Sequence, residues 1–399
     1  MVEPGKRSKE ATAGTITEGG KIGGEFKVEK DPQFLRDRLA LFQHIYEKQQ
    51  EELKKVEKRE IDITLKDGKV IKGTLFETTP LAIATKISKK LAASVYGARI
   101  VYSKKEPFPL AKGAGVVDAD AEEDHKGEEK AEIYDLTRPL EGDCTLELLN
   151  FDDPAAKNIF WHSSAHILGC ALEQEYGAHL CIGPALEKGF YYDAYMGEHK
   201  ISPHEFPNIE KAISAIIAAD HPFRKIYLTK QEALELFKHN PFKVQLISKK
   251  IPEDAVTTAY CSGTLVDLCT GPHLPSTGIA KAFKCTKASA AYWLAKSEND
   301  DLQRVYGVSF PQQKLLDEYI KIQEALIQGD HRTVGKHQNL FTLIDMSPGS
   351  AFFLPHGARI YNKLTTLMKR EYALRGYTEV ITPNMYNKHL WEVSGHWYK

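Results

Sequence analysis

Residues 153–177, DPAAKNIFWHSSAHILGCALEQEYG, begin with an Asp-Pro pair suited to a helix start and end on a glycine suited to a helix stop, so they predict one long helix. The aromatic run FYYDAY at 190–195 then predicts a strand. Ser202-Pro203-His204-Glu205 has the form of a capping box with proline at the first helical position, and it opens a helix whose apolar face is Ile209, Ile213, Ile216 and Ile217. A second capping box spans Thr229 to Glu232, and its helix is expected to stop at Asn240-Pro241. Beyond it KVQLI, TLVDLC, AKAFKCTK and AYWLAK are predicted strands. Helices alternating with a mainly antiparallel sheet make residues 154–305 an α+β domain.

Toward the N-terminus the texture changes. Ile61, Ile63 and Leu65 alternate with polar residues, Asp67-Gly68 supplies a turn, and Val70 to Phe76 returns as a second strand. Thr79-Pro80 opens a helix with Ile83, Ile87 and Leu91 on one face, and strand-like segments follow at 98–102 and 144–149. Hairpin, helix and further strands over 60–150 fit a small β-grasp module. Within it an acidic insertion lies near 105–132, and residues 118–132 carry eight acidic side chains against two lysines, a block expected to stay solvated. Residues 31–59 predict an appended helix with Leu35, Leu39, Phe42 and Tyr46 on one face. Residues 1–30, rich in Gly, Lys and Glu, predict a disordered tail.

Toward the C-terminus a linker helix is expected over 306–329, with Leu315, Tyr319, Ile322 and Leu326 aligned. A further domain starts at about 330, with a long helix from His356 to Arg375, a stop at Gly376, the strand TEVIT and Pro383. It is expected to be incomplete at Lys399.

The 399 residues hold 53 Lys+Arg against 54 Asp+Glu, so the net charge of −1 gives no global reason to bind nucleic acid. Local blocks differ: 221–250 carry seven basic and two acidic side chains, and 279–296 four lysines and no acid beside Tyr292-Trp293, the texture of an RNA-facing rim or of a solvated basic face. No run approaches the 18 apolar residues of a membrane span, and the N-terminus has no secretory pattern, which places the chain in the cytoplasm without membrane association. The six cysteines lack CxxC spacing and are expected to be free thiols.

Two short patterns carry chemistry. His162 and His166, four apart on the predicted helix, project from one face, and Cys269 and His273 flank a Gly-Pro turn in DLCTGPH (267–273). Three imidazoles and a thiol match a zinc ligand set, with a metal-free polar catalytic pocket the next reading and packed structural histidines the third. Lys243 and Asp267 favour the second option, since a lysine and a carboxylate near imidazoles can orient water and stabilise an oxyanion during ester hydrolysis.

The motifs TRPLEGDCTLELL, WHSSAHILG, GFYYD, DLCTGPH, AYWLAK, LQRVYGVSFP, DHRTVGKHQNLF, SPGSAFFLPHGARIYN and LWEVSGHW make the chain resemble a threonyl-tRNA synthetase of the eukaryotic cytoplasmic type from about Asp31 onward. The resemblance implies a β-grasp TGS domain at 60–150, an editing domain at 154–305 and the start of a class II antiparallel-sheet catalytic domain at 330–399. It implies an editing pocket in which His162, His166, Lys243, Cys269 and His273 act on the ester, with Tyr192 and Asp267 binding substrate. The pocket would remove serine from mischarged threonine tRNA, because one methyl group is worth only about 1–3 kcal/mol of discrimination in a binding site. No metal is expected in it. Arg375, Gly376 and Pro383 match motif 1, the segment that builds the homodimer in this family. Motifs 2 and 3, which would bring ATP, Mg and a Zn ion, are not visible, so editing hydrolysis and tRNA binding are the activities expected of this sequence. A non-catalytic tRNA-binding fragment and a zinc-dependent hydrolase are the alternatives.

Overall fold

The computed structural model describes residues 20–113, 115–118 and 131–398; the first nineteen residues of the expected tail and residues 114 and 119–130 of the expected acidic insertion lie outside them. The chain divides into two units, residues 1–316 and 317–399.

In the first unit a helix α1 (Gln33–Lys54) precedes the strands β1 (Glu60–Leu65) and β2 (Val70–Thr74). Helices α2 (Pro80–Ile87) and α3 (Lys89–Ala92) follow, then β3 (Val95–Lys105), β4 (Glu132–Tyr134) and β5 (Gly142–Asn150). The five strands form one sheet in the order β2-β1-β5-β3-β4, with β1 and β5 parallel at its centre and the other pairs antiparallel. Thr79 caps α2 by accepting from Ala82 N at 3.2 Å, and the helix buries Ile83 and Ala84 in a core with Ile61, Ile63, Ile100 and Leu146. The alternation in β1 predicts this, because Ile61 and Ile63 fall on one face of the pleat.

The second part of this unit is built around α4 (Pro154–Tyr176), which Asp153 caps and Gly177 ends in the left-handed region at φ +67°. Nearly every residue of α4 from Ile159 to Glu173 is buried, as befits a helix apolar all round. Around it lie β6 (His179–Leu180), β7 (Ala185–Leu186), β8 (Gly189–Tyr195), α5 (Phe206–Ala218), β9 (Arg224–Thr229), α6 (Lys230–Leu236), α7 (Pro241–Lys250), β10 (Val256–Ser262), β11 (Leu265–Leu268), β12 (Ala282–Tyr292) and β13 (Asp301–Phe310). They make an antiparallel sheet β11-β10-β9 and a second one, β12-β13-β8-β6, with β7 against β8. Both expected capping boxes form, at Ser202 and at Thr229.

Several expectations need correction. The helix opened at Thr79-Pro80 breaks at Ser88, whose backbone is extended, so Leu91 lies in α3 rather than on one face with Ile83 and Ile87. KVQLI is helical, in α7: Asn240 Oδ1 accepts from Phe242 N and Lys243 N at 3.1 and 3.3 Å with Pro241 at the first position, so the Asn-Pro pair taken as a stop is a start. The tail is anchored from Gly20 onward, where Gly20, Ile22 and Gly23 donate backbone N–H bonds to Asn299 and Asp300, and Ile22 and Phe26 pack on the core; these partners nearly 280 positions away are invisible to local composition. The expected linker begins in strand, since residues 306–310 complete β13 against β12 and β8. AYWLAK leaves the strand at Tyr292, because Leu294 and Ala295 have positive φ.

The second unit includes most of α8 (Gln313–Gln328), then α9 (His331–His337), β14 (Phe341–Leu343), β15 (Ala351–Phe353), α10 (Pro355–Leu374) and α11 (Lys388–Val393). The expected strand TEVIT is irregular and exposed; it has no partner strand among the described residues, so its backbone groups have no ladder to join. Arg375 caps α10, Gly376 turns the chain at φ +81°, and Pro383 lies in the irregular segment.

Candidate active site

The helix periodicity that sets His162 and His166 on one face of α4 brings their rings to 5.1 Å, edge to face. The loop after β11 carries the other pair. Gly271 turns it at φ +83°, where an added Cβ would lie 2.4 Å from the Tyr260 hydroxyl, so only glycine fits. His273 thereby comes to 4.5 Å from the His162 ring and 4.3 Å from the His166 ring, while Cys269 Sγ lies 3.3 Å from His273 Nε2 and 3.5 Å from His162 Nε2. Gly271 N also points at the sulfur, at 3.2 Å.

Beside this cluster Asp267, on β11, receives Lys243 Nζ from α7 at 3.1 Å and the Tyr192 hydroxyl from β8. His166 Nε2 lies 3.8 Å from the same carboxylate. The Tyr192 ring crosses α4 at Gly169, whose missing side chain makes room for it. All seven residues expected in the pocket thus meet, and six are buried, His162 being the partly exposed one.

The electrostatics follow from burial. It lowers all three imidazoles, His166 to about 3 and His273 well below its ordinary value, because a charged ring would lose its hydration. The histidines are therefore neutral near pH 7. Burial pushes Asp267 the other way, but the Lys243 ammonium, with help from His166 and the Tyr192 hydroxyl, holds it below the usual carboxylate range. The pocket is a set of neutral bases against one carboxylate–ammonium pair.

Ser163 assigns the tautomer of His273. Its hydroxyl donates to Ile159 O at 2.8 Å and accepts from Leu274 N at 2.9 Å, so the contact with His273 Nδ1 at 3.1 Å completes the oxygen only if Nδ1 carries the proton. Nε2 then turns a lone pair toward Cys269. By contrast His166 Nδ1 is buried and has no hydrogen-bond partner among the described residues.

Sequence reasoning missed four residues that frame the loop. Asp135 accepts from His273 N at 2.5 Å and from the Tyr260 hydroxyl at 2.7 Å, Phe223 stacks on His273 at 5.0 Å, and Lys225 Nζ donates to Thr270 O at 2.8 Å. Only Ser163, inside WHSSAHILG, was in view; the others come from distant segments without a motif.

The donor set can also be tested against a metal. Ligand atoms of His162, His166, Cys269 and His273 lie within 4.8 Å of one another, and three neutral imidazoles with a thiol suit tetrahedral zinc. The outer shell fits less well, because a metal-bound histidine ordinarily donates its other nitrogen to an oxygen and His166 Nδ1 has none.

Residues 256–306 match the Threonyl and Alanyl tRNA synthetase second additional domain, and residues 61–150 match the TGS domain. The probable threonine–tRNA ligase 1, cytoplasmic, of Dictyostelium discoideum is 44% identical over 94% of the chain and 49% of its own length. The mitochondrial threonine–tRNA ligase 1 of Arabidopsis thaliana is 47% identical over 90% of the chain and 47% of its own length. The human cytoplasmic threonine–tRNA ligase 2 is 42% identical over 93% and 43%. The chain spans about half the length of the curated relatives it matches. No helix among the described residues is long and apolar enough to cross a membrane. On these matches the chain is a homologue of the threonine–tRNA ligases that carries their TGS and second additional domains.

Proposed function

We propose that this chain hydrolyses the ester of threonine tRNA mischarged with serine, the editing activity of a threonine–tRNA ligase, in the cytoplasm. The observation that carries the reading is the neutral His166, whose Nε2 faces the Lys243–Asp267–Tyr192 cluster. A water held at His166 Nε2, on the side of Asp267 and Lys243, is the nucleophile. The water oxygen attacks the ester carbonyl, the Lys243 ammonium stabilises the charge that develops on the carbonyl oxygen, and the bond to the ribose oxygen breaks. The proton leaving the water passes to that ribose oxygen. His162 and Cys269 shape the network around the carbonyl. Asp267 and Tyr192 recognise the serine hydroxyl. His273, locked by Ser163, orients Cys269.

We propose further that the pocket works without a metal, on the ground that His166 lacks the outer partner a ligand needs. If zinc were bound, the three histidines and Cys269 would hold it, and it would supply Lewis acidity to the carbonyl. The deciding experiment is single-turnover deacylation of seryl-tRNA and threonyl-tRNA by the purified chain, without ATP, with and without a chelator. Rapid serine release untouched by chelation supports the reading. Loss of activity on chelation, with about one zinc per chain, transfers the site to zinc chemistry. Tight tRNA binding with no release of serine from a folded chain makes it a binding module instead.

A further inference from the structure

The DLCTGPH loop is held from outside by the other module. Asp135 follows β4 of the TGS match, is 5% exposed, and accepts from both His273 N and the Tyr260 hydroxyl. Tyr260 in turn meets the His273 ring edge-on at 4.5 Å. Asp118, in the crossover between β3 and β4, accepts from the Thr270 hydroxyl at 2.5 Å. That crossover is itself pinned to β10: Val117 N donates to Val256 O at 2.8 Å, Val256 N to Gly115 O at 3.1 Å, and the Thr257 hydroxyl to Val117 O at 2.9 Å. Two carboxylates of one module thus grip the third and the sixth residue after Asp267, on either side of the Gly271-Pro272 turn.

On its outer side the loop borders open space. A cavity of about 580 Å³ is lined by Asp135, Tyr260, Phe223 and Lys225, and a second of about 450 Å³ by Asp118, Lys225 and Thr270. With open space on that side, the loop has room to shift once the carboxylate bonds are gone, and His273 and Cys269 would move with it.

We propose that the TGS module is a working part of the hydrolytic pocket, with Asp135 as a positioning residue that fixes His273 and Asp118 as its second anchor. The proposal rests on the editing reading above. An isolated second additional domain would lack both anchors, and its pocket would be loose.

The test is Asp135→Ala in the full chain, read by single-turnover deacylation of seryl-tRNA, by tRNA affinity, and by the NMR signals of the His273 ring, assigned with a His273→Asn variant. Removing the carboxylate leaves two buried donors unpaired. A displacement of about 1 Å at a reacting group lowers rates by about 100-fold, so the expected loss in rate is about 10- to 100-fold with affinity unchanged within about twofold. The His273 ring signals shift. Asp135→Asn, whose amide oxygen can still accept from His273 N, restores the rate to within about fivefold. A wild-type rate with unmoved ring signals in Asp135→Ala overturns the proposal, as does a loss of rate matched by loss of affinity. Should Asp135→Ala fail to fold, Asp118→Ala, which removes the acceptor of the Thr270 hydroxyl, and Tyr260→Phe, which removes a donor to Asp135, decide: unmoved rates and ring signals in both overturn it. If the unaltered chain releases no serine, the editing reading fails by itself, and the ring signals still judge the clamp.

Discussion

Arg38 and Glu173 meet as a bidentate pair with side chains 3% and 1% exposed; Lys243 and Asp267 meet at 3.1 Å with side chains 1% and 4% exposed. Burial is equal, yet the carboxylates respond in opposite directions. At Glu173 the burial outweighs Arg38 and raises the carboxyl, whereas at Asp267 Lys243, His166 and the Tyr192 hydroxyl together outweigh burial and lower it. The first pair ties α1 to α4, and Arg38 also donates to Thr264 O at 3.3 Å. The second has charge and hydrogen-bond donors from three elements converging on one carboxylate, next to a histidine with a free nitrogen. Convergence on one group, rather than burial of a pair, separates a site from a brace.

Breaking the brace should give the largest effect. Arg38→Ala leaves Glu173 buried without its partner, which costs roughly 3–5 kcal/mol, measurable as a fall in the urea midpoint at constant slope. Arg38→Met with Glu173→Leu should recover most of that loss, since apolar side chains need no partner. Recovery of stability without change in deacylation would confirm that this pair only holds helices together. If the double variant stays as unstable as the single one, the pair specifies the docking of α1 and the contrast with Lys243–Asp267 weakens.

Breaking the site should act on rate. Lys243→Ala removes the charge proposed to stabilise the carbonyl oxygen, and loss of such a donor lowers turnover by about 100- to 1,000-fold. His166→Ala should do the same. Both substitutions leaving serine release intact in a folded chain would remove these residues from the mechanism.

The sequence made one pair legible and hid the other. Lys243 and Asp267 were singled out because a lysine, a carboxylate and spaced His and Cys have a chemistry in common. Arg38 and Glu173, 135 positions apart, share no motif, and the helix bearing Arg38 looked like an appendage because its charged C-terminal half dominates its composition. The β-grasp hairpin and α4 were readable from alternation and caps, which are local. Where a local signal served two purposes it misled: Asn240-Pro241 is as good a stop as a start, and only the fold of α7 around Lys243 decides. Asp135 and Asp118 were unreadable for the same reason as Arg38, since their partners lie in another module.

A pH series sharpens the comparison at the brace. His239 lies 3.4 Å from Arg38 Nη1 and stacks on Phe34; burial first, then Arg38, pushes it down to about 2, and burial lowers the neighbouring His179 to about 4. In the unfolded chain both would titrate near 6.5. Below that value the unfolded state binds protons that the folded state refuses, so stability is complete above 6.5 and falls as pH drops toward 4. The slope approaches about 1.4 kcal/mol per pH unit for each histidine. His239→Phe keeps the stack on Phe34 and should remove its share of the slope; an unchanged slope would mean that His239 charges in the folded state.

The smallest effect is expected where charges pair in water. Lys72 reaches Asp62 at 2.6 Å and Glu60 at 3.0 Å on the open face of the TGS sheet, with all three side chains more than half exposed. By distance these contacts match the buried pairs. Water and salt screen them, and ordering a long lysine side chain offsets much of the attraction. Lys72→Met should therefore leave the urea midpoint where it is, at low and at high salt, and leave deacylation untouched. A shift as large as that of Arg38→Ala would show that contact distance, not exposure, sets the value of a charge pair in this protein, and the distinction drawn between brace and site would lose its physical footing.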